Sequence, residues 1–125
     1  LADRYGMQFG AVKDLEFAMM YEALKQGQVD VISGFSTNWQ LEKYDLVFLR
    51  DECRFFPPYD AAPVVRREFL AEHPEVRKVL SLLAGSIDNQ TMRQLNLSMK
   101  ETGSEKEVAE AFLRSRDLLI TGKEH

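Results

Sequence analysis

The spacing of apolar positions along this chain changes character about halfway. Residues 7–12 alternate apolar and polar side chains well enough to predict a short strand. In residues 15–26 the period lengthens: Leu15, Ala18, Met19, Ala23 and Leu24 fall on one helical face, and Gly27 ends the pattern. Residues 29–35 form a β-branched run around Val29, Val31 and Ile32, closing on Gly34 and Phe35, which is the strongest strand signal present. Strand, helix and strand within about 30 residues predict a right-handed βαβ unit and a parallel sheet. Ser36, Thr37 and Asn38 offer three helix N-caps before a short turn over 39–43. Residues 44–49 read as another strand, and Pro63 limits the run over 61–65 to an edge strand or an irregular crossing.

From Arg67 onward only the helical period remains. A short helix is expected over 67–72, and Pro74 suits the first turn of a second that runs to Ala84 and stops at Gly85. Asp88 caps a third helix reaching about Met99. Ser104 and Glu107 have capping-box spacing for a fourth over 105–116, with Val108, Ala111, Phe112 and Ser115 on one face. At the other end, the first six residues read as the close of a helix at Gly6, and the tail 121–125 reads as frayed. The first half is thus α/β and the second α. The change falls in an aromatic and proline-rich stretch, Phe55, Phe56, Pro57, Pro58 and Tyr59.

Composition narrows the function classes. The 125 residues suit one domain, and 45% apolar content is ordinary for a globular chain. A net charge of -4 without a basic patch argues against non-specific nucleic-acid binding, which needs positive charge to displace counterions. The single cysteine, Cys53, has no disulfide or zinc partner in the sequence. No apolar run reaches the roughly 20 residues that cross a bilayer, and no signal peptide opens the chain, so it reads as an excised or processed piece.

Catalytic constellations are not indicated. A Cys53 nucleophile needs a histidine within hydrogen-bond reach, and the two histidines stand at a helix junction (His73) and at the terminus (His125). Most of the carboxylates, among them Glu16, Glu22, Asp30, Asp45, Asp51 and Asp60, are expected to be solvated surface groups, and no spacing sets two in one cleft. No nucleotide or nucleophile-elbow motif is present, and no metal or cofactor is implied. Aromatics point elsewhere. Phe35 closes the best strand, at the end where open α/β sheets bind ligands, with Trp39 just beyond. Tyr59 follows a rigid Pro-Pro pair. Such rings can hold a quaternary ammonium by cation–π attraction, although Phe55 and Phe56 suit an ordinary core better and Tyr59 suits one equally.

MYEALKQGQVDVI at 20–32, GFSTN at 34–38, YDLVFLRD at 44–51, LAGSID at 83–88 followed by MRQLN at 92–96 and, most specific, FFPPYDAAPVVR at 55–66 are similar to segments of the glycine betaine/choline/carnitine ABC-transporter substrate-binding protein family. The resemblance, to the family's C-terminal half, implies an α/β class and part of a two-lobed, type II periplasmic-binding-protein-like fold. On this reading residues 1–48 belong to one α/β lobe holding a short βαβ sheet segment, 49–66 form the hinge crossing, and 67–125 are the helical C-terminal part of the other lobe. It also implies a ligand site. Tyr59 and Phe35 would be cage aromatics, Ser36 or Thr37 a hydroxyl donor near the ligand's carboxylate, and Asn38 and Trp39 would stand at positions where the family has Asp and a small residue. Phe35 replaces the family's frequent Tyr, which removes a phenolic hydrogen bond. The implied partners are a small quaternary amine and a membrane ABC permease. The implied location is extracytoplasmic, with membrane anchor or permease fusion lying outside the chain. Self-association or domain swapping is expected of a fragment. The alternatives are a non-transporting interaction module derived from the family and a binder of another betaine-like molecule such as ergothioneine.

Overall fold

A computed structural model describes residues 1–44 and 46–119; Asp45, the expected frayed tail and His125 lie outside the described residues. Seven helices form among these residues: α1 (Ala2–Tyr5), α2 (Phe17–Lys25), α3 (Gln40–Lys43), α4 (Arg67–Glu72), α5 (Glu75–Ser81), α6 (Asn89–Thr102) and α7 (Glu105–Ser115). Local signals set both ends of α6 and the start of α7. The Asp88 carboxylate accepts the Thr91 N–H at 2.7 Å and opens α6. Gly103, at φ 70°, closes α6 in the left-handed conformation that glycine takes without a Cβ penalty. Ser104 Oγ then accepts the Glu107 N–H at 3.3 Å and opens α7. The helices after Arg67 therefore fall within a few residues of their sequence-predicted spans, α5 ending three residues earlier than expected.

The predicted strands are the main departure. Among the described residues there is no β-strand: 7–12, 29–35, 46–49 and 61–65 have no ladder partner, and the expected βαβ sheet segment does not form. A β-branched run supplies the side chains for a strand, but its backbone groups need a neighbouring strand to pair with. Among the described residues no segment takes that role.

The buried face of α2 also differs from expectation. The structure buries Tyr21 (3% exposed) and Ala23 (6%), while Met19, on the predicted face, is 61% exposed. Tyr21 wins because its ring lies beside Gly34, where even a single methyl group would come within 2.5 Å of the hydroxyl. The residue-by-residue apolar count missed this pairing of a large ring with a missing side chain.

Packing beyond that point is sparse. Helices α6 and α7 pack together, and α6 also reaches α3. The chain exposes 10955 Å². A compact monomer of its mass, 14.4 kDa, would expose about 6,800 Å². The surplus is apolar in part, with Val12, Val47, Phe48, Leu49 and Val64 all exposed.

Candidate functional site

The site builds outward from the turn that follows Gly34. That turn is held from two sides. On the α2 side, the buried Tyr21 ring abuts Gly34, and that burial raises the Tyr21 pKa while the Asn38 side chain lowers it. On the α6 side, Arg93 Nη1 donates to the Ser36 carbonyl at 2.8 Å, and Asn96 Nδ2 donates to the Thr37 carbonyl at 2.8 Å. Arg93 Nε also donates to Glu42 Oε1 of α3 at 2.6 Å. The Asn38 N–H donates to the Phe35 carbonyl at 3.1 Å and closes the turn itself. Residues 35–38 are thus fixed even though residues 29–35 join no sheet.

A second fixed turn carries the proline segment. The Asp51 carboxylate accepts the Phe55 N–H at 2.9 Å and the Phe56 N–H at 2.8 Å, and it also accepts the Tyr5 hydroxyl. Tyr5 in turn accepts the Cys53 N–H at 3.0 Å. The Tyr5 hydrogen bond, with the two amides after it, holds the Asp51 carboxyl below the ordinary carboxylate range. Loss of solvation raises the Tyr5 phenol, and Asp51 adds to that rise. Within this turn Arg54 has φ 49°, a left-handed conformation that non-glycine residues seldom take. The carboxylate organises the turn from inside, and Tyr5 ties it to α1.

The two turns bring predicted residues together. The rings of Phe35 and Tyr59 lie 6.3 Å apart and nearly perpendicular, at 83°. Phe17, at the start of α2, joins them with its ring 6.4 Å from Phe35. All three are open to solvent: Phe35 is 55% exposed, Tyr59 73% and Phe17 53%. Phe17 was absent from the sequence reading. Its position one helical turn before Tyr21 was the available signal, since Tyr21 abuts Gly34 and thereby sets Phe17 near Phe35.

Other predicted residues stand apart from this trio. Trp39 pairs with Tyr44, ring centroids 6.2 Å apart, and Lys43 Nζ lies 5.4 Å from the Trp39 ring. A protein cation therefore already sits at that indole. Phe55 and Phe56 form a perpendicular pair with each other at 5.0 Å. His73 stacks on Phe69 at 4.7 Å, and its Nδ1 lies 3.4 Å from Glu75. Cys53 is half-buried, with its sulfur 4.0 Å from the Arg4 carbonyl. Neither His73 nor Cys53 is placed as a nucleophile and base would be. An open apolar groove of about 430 Å³ between α6 and α7, lined by Leu95, Met99, Val108 and Phe112 among others, lacks the perpendicular exposed rings of the Phe35 site.

Comparison with known proteins places the chain in a family. Residues 1–115 match the family model described as the substrate binding domain of ABC-type glycine betaine transport system. The chain is 35% identical over 116 residues to a carnitine transport binding protein of Listeria monocytogenes, covering 90% of this chain and 37% of that protein. It is 32% identical over 126 residues to a glycine-betaine-binding protein of Pseudomonas aeruginosa, covering 98% and 40% respectively. Its backbone superposes on the crystal structure of a glycine betaine/carnitine/choline ABC transporter with a TM-score of 0.85 at 36% identity, covering 94% of this chain and 43% of that one. The chain thus spans about two fifths of the length of the curated relatives it matches. With the family model covering more than half of its length, the chain belongs to the family of substrate-binding domains of ABC-type glycine betaine transport systems.

Proposed function

We propose that this chain is the C-terminal half of the solute-binding component of an osmoprotectant ABC importer, and that it binds a quaternary ammonium compound such as glycine betaine, choline or carnitine through Phe35 and Tyr59, with Phe17 beside them. The observation that carries the reading is the perpendicular, solvent-open pair of rings at 6.3 Å. A quaternary nitrogen has no N–H to donate, and its charge is spread over methyl groups. Aromatic faces replace its water without leaving a hydrogen bond unmade, and each well-placed ring contributes about 0.5–2 kcal/mol. Ser36 and Thr37 stand next to Phe35 and would offer hydroxyls to a carboxylate or hydroxyl at the ligand's other end.

In this reading residues 1–48 belong to one lobe, 49–66 cross the hinge and 67–125 belong to the other. The unpaired segments 7–12 and 29–35 find their ladder partners in the part of the protein that this chain does not span. The lobes close on the amine and present a surface to a membrane permease, which places the protein outside the cytoplasm. The two fixed turns come from separate stretches of chain; one carries Phe35 and the other precedes Tyr59.

Isothermal calorimetry of the full-length protein with glycine betaine, choline, carnitine and ergothioneine tests the proposal. Saturable binding of at least one is expected, and Tyr59→Ala should weaken it roughly two- to thirtyfold, the loss of one ring's attraction. Absence of heat with all four compounds rejects the reading. It would favour the alternative of an interaction module, for which the exposed apolar surface is the supporting observation.

A further inference from the structure

We propose that Arg93 and Asn96 of α6 are positioning residues for the ligand site, fixing the Phe35 ring by holding the backbone of the turn that carries it. The inference rests on the assignment of Phe35 as a ligand ring. Two observations carry it. The Arg93 guanidinium uses Nη1 on the Ser36 carbonyl at 2.8 Å and Nε on Glu42 at 2.6 Å, so its planar fork joins the turn to α3. Asn96, three residues further along α6, adds the Thr37 carbonyl at 2.8 Å. The Arg93 and Glu42 side chains are only 23% and 27% exposed, so solvent and salt screen this charge-assisted bond less than a surface pair.

The chemistry of the contacts suits a positioning role. On the turn itself they take up main-chain carbonyls alone and do not consume the Phe35 ring or the Ser36 and Thr37 hydroxyls. The preceding segment 29–35 joins no sheet among the described residues. The α6 clasp therefore supplies an order that a ladder does not. Arg93 and Asn96 lie 57 and 59 residues from their acceptors, beyond the aromatic crossing segment. The clasp thus ties the helical region to the turn next to the ligand rings, and an occupied site and a docked α6 stabilise each other.

The test uses the full-length protein and two readouts. One is calorimetric affinity for glycine betaine, carnitine and choline. The other is hydrogen exchange of the amides at 35–39 without ligand, with the melting temperature as control. Arg93→Ala and Asn96→Ala are each expected to weaken binding about tenfold and to speed exchange at 35–39 severalfold, leaving melting nearly unchanged. Arg93→Lys, which keeps charge and one donor but loses the fork, should fall between wild type and Arg93→Ala. If the alanine variants fail to fold, Arg93→Lys and Asn96→Asp carry the test, the latter removing the donor at constant size. Unchanged exchange at 35–39 overturns the proposal, as does weaker binding accompanied by an equal fall in melting temperature. If wild type binds none of the three amines nor ergothioneine, the proposed function is lost. The exchange readout still decides the clasp: faster exchange in the variants supports it, and unchanged exchange rejects it.

Discussion

At the scale of single residues, Asp51 organises more of the site's surroundings than any ligand candidate. Its carboxylate accepts two amides and the Tyr5 hydroxyl, and these bonds favour the charged form. A carboxyl whose folded pKa is depressed contributes its stability fully above the unfolded value, about 3.9, and loses it as pH falls through that value toward the lower folded one. Order in the 51–56 turn is therefore expected to persist at neutral pH and to fade below about pH 4. A carboxyl-carbon NMR titration should find Asp51 below the ordinary range. In Tyr5→Phe it should move back up, because the largest cause of the shift is gone. An unmoved titration would show that Tyr5 does not act on Asp51. Gly34 gives a second prediction at this scale. Gly34→Ala sets a methyl 2.5 Å from the hydroxyl of a buried ring, and such overpacking costs about 1–3 kcal/mol. Tyr21→Phe removes the clashing oxygen, so urea denaturation of the double variant should show less loss than the two single changes summed.

Among the elements, α6 stands out because both its termini and one of its faces have identified partners. Asp88→Ala should destabilise the protein by about 1 kcal/mol in urea denaturation, since an N-terminal amide of α6 loses its acceptor. Asp88→Asn keeps an acceptor and should retain most of that. Equal losses for the two would mean that charge, and not the cap, is what matters at position 88. The cap holds the start of the helix from which Arg93 and Asn96 project, so Asp88→Ala should also weaken ligand binding slightly. Helix α2 has the opposite character. No side chain caps its N-terminus, and Tyr21 and Ala23 anchor it by burial.

For the whole molecule, surface area is the governing quantity. An exposure of 10955 Å² against the roughly 6,800 Å² of a compact monomer leaves about 4,000 Å² without cover. Exposed apolar side chains at Val47, Phe48, Leu49 and Val64 and the open α6–α7 groove belong to that surplus. Residues 1–125 expressed alone are expected to self-associate, with mass rising with concentration in sedimentation equilibrium. A monomer across that range would mean that the chain covers its apolar surface some other way.

The amino-acid sequence by itself determined the helices whose ends are local events: Gly6 after α1, Asp88 before α6, and Gly103 and Ser104 between α6 and α7. Each boundary depends on one side chain or one backbone conformation within four residues, so it can be read off a short window. The sequence also named Phe35 and Tyr59, through their place beside a β-branched run and a proline pair. Only the tertiary structure decided that their rings meet, that Phe17 joins them while Trp39 pairs with Tyr44, and that Arg93 and Asn96 grip the turn. These contacts link residues tens of positions apart, and periodicity carries no information about which distant partner a side chain will meet. The strands marked the same limit from the other side. A strand is completed by a neighbour's hydrogen bonds, and no stretch of these residues supplies them.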